Sequence, residues 1–394
     1  MRLLYVTDTK LFYNENGVFK SKYLEPDELG AVSDDITEVV FWGRLYYKAD
    51  TTDLLPLVSE KYKLTVVGNK NQKSGLLGYG AGLVKMIRGL KHEVAASDVI
   101  WLKFSFFSSY IAGLCLKKKQ KPKKIVLSQL VGDFDCLTII HKGKIFKLIA
   151  GASKAVYRKV IKKCDLQVYI SQGLEKKYKV EGVKSRIINE NRVKRRDIVD
   201  FESVSHRTPN EPLKLIFAGR LSPEKRIFDI IKAVEETDGV QLSVLGDGVQ
   251  KNQILDYINS HNLSGKVKLC EPVQWGDELF SFMKKHHALV LPSESEGLGL
   301  VLLEAMSCGI SVMASRTGGI PDIVEDGYNG QLFDVGNVGQ LKKCIEKIRD
   351  DEAVRTEFIK NGLVTANENC FENQLKSLSD EIKEIKQSKM QKRK

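Results

Sequence analysis

No run of apolar residues in the 394-residue chain reaches the ~18–20 needed to cross a bilayer, so no membrane-spanning helix is expected. The N-terminus opens at once on a strand-like Leu3-Leu4-Tyr5-Val6, without the charged and apolar regions of a signal peptide. Seven cysteines are scattered at 115, 136, 164, 270, 308, 344 and 370, with no Cys-x-x-Cys and no metal-type spacing. Such usage fits reduced thiols in a cytoplasmic protein, serving as small core residues. No internal repeat and no long low-complexity segment is present. One Asp-x-Asp spacing, Asp133-Phe134-Asp135, follows a strand pattern outside any metal-site context, and no metal is expected. What remains is a chain that is 42% hydrophobic, long enough for two domains with real cores.

Acidic residues are scarce in one half only. The net charge is +12. Residues 1–200 hold 37 basic and 21 acidic side chains, whereas residues 201–394 hold 25 and 29. The last fourteen residues again carry six basic and two acidic groups. The densest runs are Lys117-Lys118-Lys119-Gln120-Lys121-Pro122-Lys123-Lys124 and Arg192-Val193-Lys194-Arg195-Arg196. Such patches suit phospholipid headgroups or nucleic acid, and equally a solvated loop. No RNP-type aromatic motif or zinc-finger spacing accompanies them, and the runs lack interleaved aromatics, so nucleic acid is not the expected partner.

Short apolar runs alternate with helical patterns. Strands are expected over 2–7, 36–41, 63–68, 98–104, 124–131 and 166–171, and again over 214–218, 240–245, 266–270, 288–291 and 311–315. Helices are expected over 227–237, 250–260, 277–285, 299–308 and 339–348. Many strand runs are continuously apolar, as parallel strands buried on both faces require. Alternation of this kind argues α/β architecture with two doubly wound domains. The polar, proline-bearing Ser203–Pro212 marks the break, giving expected domains over 1–205 and 206–365, with a helical, basic tail over 366–394. Ligands of such sheets bind outside the carboxyl ends of the strands, and the expected site is a cleft between the domains.

Chemistry concentrates in loops that follow strands of the second half. In Ser293-Glu294-Ser295-Glu296-Gly297-Leu298-Gly299-Leu300, a carboxylate precedes a glycine turn, and Glu304 follows eight positions after Glu296, about one turn into a helix. The first N–H groups of that helix lack internal partners and can face an anion, while carboxylates accept hydrogen bonds from hydroxyls. Acceptors for hydroxyls beside donors for phosphate suit a nucleotide-activated sugar; a capped core helix is the plainer alternative. Upstream, Gly219-Arg220-Leu221-Ser222-Pro223-Glu224-Lys225 offers two cations, suited to a diphosphate whose charge grows as it leaves, or to a surface salt bridge. Gly246-Asp247-Gly248 reads as ordinary turn chemistry, and the loop around Glu271-Pro272 can offer backbone groups to a base edge.

Taken together, Pro292-Ser293-x-Ser295-Glu296-Gly297-Leu298-Gly299-Leu300-x-x-x-Glu304-Ala305-Met306-x-Cys308-Gly309, Gly318-Gly319-Ile320-Pro321-Asp322, Gly219-Arg220-Leu221-x-x-x-Lys225 and Gly246-x-Gly248 resemble retaining glycosyltransferase family 4, strongly over 212–335 and more weakly upstream. The resemblance implies a GT-B fold of two Rossmann-like domains facing a central cleft. It implies that Glu304 holds the donor ribose, that Glu296 faces the transferred sugar, and that Arg220 and Lys225 bind the diphosphate. It also implies that the backbone of Gly297, Leu298, Gly299 and Leu300 approaches the phosphates and sugar, and that no catalytic metal is needed. Better-known members carry a Gly-Gly loop after the first strand, where only Gly17 stands here. They also place a histidine near the reacting sugar, where Gly132-Asp133-Phe134-Asp135 stands. Asp133 is therefore the candidate on the acceptor side, as proton acceptor or sugar contact, or else a turn residue. His92 and His141 are read as structural.

The expectation is an enzyme that moves a sugar from a nucleotide-diphosphate donor, its only cofactor-like ligand, to a saccharide or lipid-linked saccharide acceptor in surface polysaccharide assembly. It would sit in the cytoplasm or peripherally on the inner face of the cytoplasmic membrane, against anionic lipid. Competing readings are a nucleotide-sugar epimerase or hydrolase of the same fold, a nucleic-acid-binding protein using the basic half, and an inactive partner subunit.

Overall fold

The computed structural model describes residues 1–13, 15, 19–21, 29–48, 55–70, 76–104, 107–117, 124–134, 144–204 and 212–391. The chain forms two compact units, Met1–Ile188 with Leu375–Lys394, and Asn189–Gln374.

The N-terminal unit holds strands β1 (Arg2–Tyr13), β2 (Phe19–Ser21), β3 (Glu38–Tyr47), β4 (Leu55–Pro56), β5 (Lys63–Lys70), β6 (Val99–Phe104), β7 (Ile125–Leu130), β8 (Leu166–Tyr169) and β9 (Lys184–Ile187). Its parallel strands stand in the order β5-β3-β1-β6-β7-β8-β9, with β2 pairing antiparallel to the far end of β1 and β4 to β2. Successive residues of β1 serve opposite faces. Leu3 and Tyr5 join a core with Phe41 and Trp101, and Leu4 and Val6 join another with Trp42, Leu90 and Leu102. Both faces are covered, which is why Leu3–Val6 of β1 and Val99–Leu102 of β6 are continuously apolar and β7 is buried along its whole length. Helices α1 (Leu76–Ala96), α2 (Phe107–Cys115), α3 (Lys144–Ile161) and α4 (Gln172–Tyr178) link these strands.

The C-terminal unit holds β10 (Leu213–Ala218), β11 (Val240–Leu245), β12 (Val267–Cys270), β13 (Ala288–Leu291), β14 (Ser311–Ser315) and β15 (Gln331–Phe333), parallel in the order β12-β11-β10-β13-β14-β15. The order reverses at β10, so the loops after β10 and β13 diverge at a topological switch point, the usual ligand position of such sheets. Helices α5 (Ile227–Glu235), α6 (Lys251–Ser260), α7 (Asp277–Met283), α8 (Leu300–Ser307), α9 (Val338–Asp350) and α10 (Glu352–Glu368) cover it, followed by α11 (Phe371–Gln391). In α5, Ile227, Ile230, Ile231 and Val234 share one buried face at helical spacing. Each large side chain so buried contributes about 1.5–3 kcal/mol.

The expected strands and helices are found within a few residues, except that β1 and β3 run well past their expected ends at 7 and 41, to Tyr13 and Tyr47. The short strands β2, β4, β9 and β15 went unrecognised, because two to four residues hold too little pattern.

The partition differs from the expected one at both ends. Residues 189–204 pack with the C-terminal unit: Val193 is fully buried in its core, and Val204 packs against Ile359 and Leu363. The polar run after Ser203 is thus not the boundary, and residues 205–211 lie outside the described residues. The tail, in turn, belongs with the N-terminal unit from Leu375 onward. Leu378 and Ile382 join the core of that unit. Among the described residues the tail lysines are paired: Lys389 with Asp165 at 2.6 Å, Lys386 with Asp35, and Lys383 3.7 Å from Asp34. The run at 192–196 is divided as well, with Val193 in the core and Arg195 donating to Asn373 at 2.9 Å. Most of the run at 117–124 lies outside the described residues. Among the described residues, no helix is long and apolar enough to cross a membrane.

Candidate functional site

Strand β10 ends at Ala218, and a single turn, Pro223–Lys225, follows its loop. Strand β13 ends at Leu291, and its loop runs to α8 at Leu300. The two loops are joined by a backbone hydrogen bond, Glu294 N–H to Glu224 O at 2.8 Å. This brings Lys225 onto Glu296, with Nζ in an ion pair with Oε1. Ser293, itself buried, donates to the same carboxylate at 2.9 Å. Only 15% of the Lys225 side chain and 13% of that of Glu296 are exposed. The pair is therefore shielded from the water that weakens surface ion pairs.

A glycine crossing fixes the Glu296 loop from below. Gly318 has φ +53, and a Cβ there would fall 1.9 Å from the Glu296 carbonyl oxygen. The Gly318-Gly319 motif is thus the floor on which the Glu296 backbone rests. Gly246 plays the same part under the other loop, where a Cβ would fall 1.9 Å from Gly219 O, and one at Gly248 would fall 2.4 Å from Leu221 O. The motif glycines brace the loops against each other, which explains their spacing without a ligand contact.

Helix α8 buries Leu302, Leu303, Ala305 and Met306 and leaves Glu304 on its remaining face. The indole Nε1–H of Trp275 donates to Glu304 Oε1 at 2.8 Å. The Arg192 guanidinium lies 4.5 Å over the Trp275 ring. Burial pushes the Glu304 carboxyl above the ordinary carboxylate range, opposed by the Trp275 hydrogen bond and the Arg192 charge. Glu304 is thus a desolvated acceptor, oriented by one donor. Neither Trp275 nor Arg192 is singled out by sequence reasoning. The one lies 29 positions from Glu304, and the other falls within a basic run that reads as a surface patch.

The remaining candidates are placed as follows. Arg220 is 80% exposed, its Nη2 3.9 Å from Glu224, and does not touch the Lys225–Glu296 pair. Gly297 is exposed, Leu298 is buried, and Gly299 is the N-cap of α8 with Leu300 its first residue. Pro272 is exposed in the loop that leads from β12 to Trp275. In the N-terminal unit, Asp133 accepts from Lys177 at 2.6 Å and from the Tyr178 hydroxyl. His92 lies exposed beside Glu93, at 3.3 Å. Gly17, Asp135 and His141 lie outside the described residues.

Residues 199–364 match the family model described as glycosyl transferases group 1. The match spans most of the C-terminal unit, which is similar to that family. An uncharacterized glycosyltransferase of Methanocaldococcus jannaschii is 37% identical over 147 residues, which is 37% of this chain and 41% of that relative. The chain therefore matches less than half the length of this curated relative. Among solved structures, sucrose-phosphate synthase from Thermosynechococcus elongatus superimposes with a TM-score of 0.72 at 15% identity, covering 98% of this chain and 100% of that one. Anabaena HepE, solved in complex with UDP, gives 0.63 at 16% identity, with 98% and 100% covered. At such identities the likeness shows the fold alone, and it is the GT-B pair of Rossmann-like domains. This glycosyltransferase fold accounts for the site's position at the switch point of the second sheet.

Proposed function

We propose that the chain is a retaining glycosyltransferase that uses a nucleoside-diphosphate sugar as donor. One observation carries the reading: a shielded Lys225–Glu296 pair stands at the start of α8, and the oriented carboxylate of Glu304 stands eight residues on along the same loop and helix. A cation paired with one carboxylate, with a second carboxylate further along the same loop and helix, suits a ligand with a diphosphate between two hydroxyl-bearing rings. Glu304 accepts from the ribose hydroxyls. Lys225 moves from Glu296 to the diphosphate and, joined by the mobile-length side chain of Arg220, offsets the charge that grows as the bond to the sugar breaks. Glu296, released from its ion pair, accepts from hydroxyls of the transferred sugar. The N–H groups at the start of α8 add partial positive charge. The chemistry needs no metal ion and is expected to survive chelation with EDTA.

The acceptor is a saccharide or lipid-linked saccharide met by the N-terminal unit, in surface polysaccharide assembly at the inner face of an anionic membrane. The surplus of basic residues over 1–200 supports this part. Asp133, which accepts from Lys177 and from the Tyr178 hydroxyl, is read as an acceptor-side group. That HepE was solved with UDP-glucose supports testing uridine donors first.

A thermal-shift screen across nucleoside diphosphates and their sugars tests the donor reading, since a ligand of the folded state raises the melting temperature. One base should stand out; no shift with any of them overturns the reading. Rapid consumption of donor without acceptor would favour a hydrolase or epimerase instead. The anomeric configuration of the product, read by NMR, tests retention. Retention on anionic liposomes at low salt tests the membrane part.

A further inference from the structure

The two central strands of the N-terminal unit run past the core of their sheet. The register of β1 against β3 shifts between Val6 and Lys10, and beyond it Lys10 pairs with Arg44, Leu11 with Leu45, Phe12 with Tyr46 and Tyr13 with Tyr47. Alternation divides these pairs between two faces. Leu11 and Leu45 are buried in the core, and Tyr13 packs against it. The opposite face carries Lys10, Phe12, Arg44 and Tyr46, joined by Lys48 just past β3. Lys10 Nζ lies 5.4 Å over the Tyr46 ring and Lys48 Nζ 6.0 Å over that of Phe12. The two rings are 6.1 Å apart and tilted by 41°. Lys10 and Arg44 are exposed, and Phe12, Tyr46 and Lys48 are half-buried. Segments 10–13 and 44–48 contain no carboxylate. Glu15 stands with Tyr47, whose hydroxyl donates to it at 3.2 Å.

Rings and cations thus alternate on a surface at the carboxyl ends of parallel strands, the side on which α/β sheets take ligands. Lys10 stands beside Arg44 across the two strands, and Lys48 lies further along β3, so the cations take two levels on either side of the ring pair. Arg44 and Lys48 are four residues apart, about 13 Å along an extended chain. A single phosphate would be met by groups gathered around it, whereas charges spaced along a strand suit an anion that is itself extended, with one negative group per unit.

We propose that this face is an acceptor platform for an acidic oligosaccharide with carboxylate-bearing sugars. The apolar C–H faces of the sugar rings lie against Phe12 and Tyr46, and the carboxylates pair with Lys10, Arg44 and Lys48. The proposal rests on the glycosyltransferase reading in so far as the bound saccharide is the acceptor, and it narrows that acceptor to a polyanionic class.

Binding of three probes to the intact protein, by calorimetry at low salt, tests it: a galacturonate hexamer, a neutral galactose hexamer and an oligouridylate of similar length. The uronate should bind at least tenfold tighter than the neutral hexamer, with an affinity that falls as salt rises. The triple variant Lys10→Gln/Arg44→Gln/Lys48→Gln should abolish that preference, and Phe12→Ser/Tyr46→Ser should weaken both saccharides. Unaltered melting temperatures establish that the variants fold; Lys48→Gln alone, with a preference reduced at least twofold, replaces the triple variant if it does not. Equal binding of charged and neutral hexamers, no uronate binding, or a preference unchanged by the charge variants overturns the proposal. Tighter binding of the oligouridylate also overturns it, since stacked rings among cations serve single strands as well. The nucleoside-diphosphate shift of the C-terminal unit is read separately, so failure here leaves the donor reading intact.

Discussion

Replacing Trp275 by Phe removes one hydrogen-bond donor and keeps an aromatic ring beneath Arg192. In the native protein the indole N–H donates to Glu304 Oε1 at 2.8 Å. A hydrogen bond to a charged group contributes about 1.5–3 kcal/mol. The lower end of that range, about 1.5 kcal/mol, is roughly tenfold in an equilibrium constant. On the proposed donor reading the loss falls on the group that accepts from the ribose, so it should appear as a roughly tenfold rise in donor KM with kcat little changed. A second signature follows from charge. Burial raises the Glu304 pKa, and the Trp275 hydrogen bond and Arg192 oppose the rise. Without the N–H the carboxylate protonates at a still higher pH, so donor affinity should begin to fall at a higher pH in Trp275→Phe than in the native enzyme. Initial rates against donor concentration between pH 5.5 and 8, as chosen assay conditions, measure both. An unchanged KM with an unchanged acid limb refutes the reasoning, and so does a loss confined to kcat.

Glu304→Ala should lower transfer more than tenfold; turnover like the native enzyme's removes Glu304 from the donor site. Gly318→Ala places a Cβ 1.9 Å from Glu296 O at φ +53, so the loop must shift at a cost above about 1–2 kcal/mol, seen as a lower melting temperature and weaker nucleotide binding. Intact binding would mean that the Glu296 loop does not depend on that floor. Glu296→Ala leaves Lys225 shielded and unpaired, costing about 3 kcal/mol in the unliganded protein, part of which a bound diphosphate should restore; a denaturation midpoint measured with and without nucleoside diphosphate checks this. His286 is buried, with its Nε2 2.9 Å from Ser243 Oγ, and desolvation lowers its pKa. The unfolded chain takes up that proton near pH 6.5 and the folded chain only below it, so this stability is present above the unfolded value and lost as pH falls through the folded one. The urea midpoint should drop between pH 7.5 and 5.5, and less so in His286→Gln; equal drops in both proteins rule His286 out.

Much of the fold was legible in the residues. Continuous apolar runs such as Val99–Leu102 and Ala288–Leu291 mark strands buried on both faces, and the period of Ile227, Ile230, Ile231 and Val234 marks α5. The anion-compatible turn, Glu296, Glu304 and the Gly318-Gly319 pair were legible too, because each rests on local chain geometry. Domain limits were not. A polar, proline-bearing run looks like a linker wherever it occurs, whereas the true limits depend on where Val193 and Leu378 are buried.

The sequence by itself determined where strands, helices and glycine turns form, since periodicity and backbone freedom act over a few neighbouring residues. Only the tertiary structure decided which charged and polar groups meet. Lys225 finds Glu296 from 71 positions away, and Trp275 finds Glu304 from 29. The lysines of the tail are matched to Asp35 and Asp165 in the N-terminal unit. An ion pair or a hydrogen bond has a range of a few ångströms and no period along the chain, so its partner is set by the fold that brings distant strands and loops together.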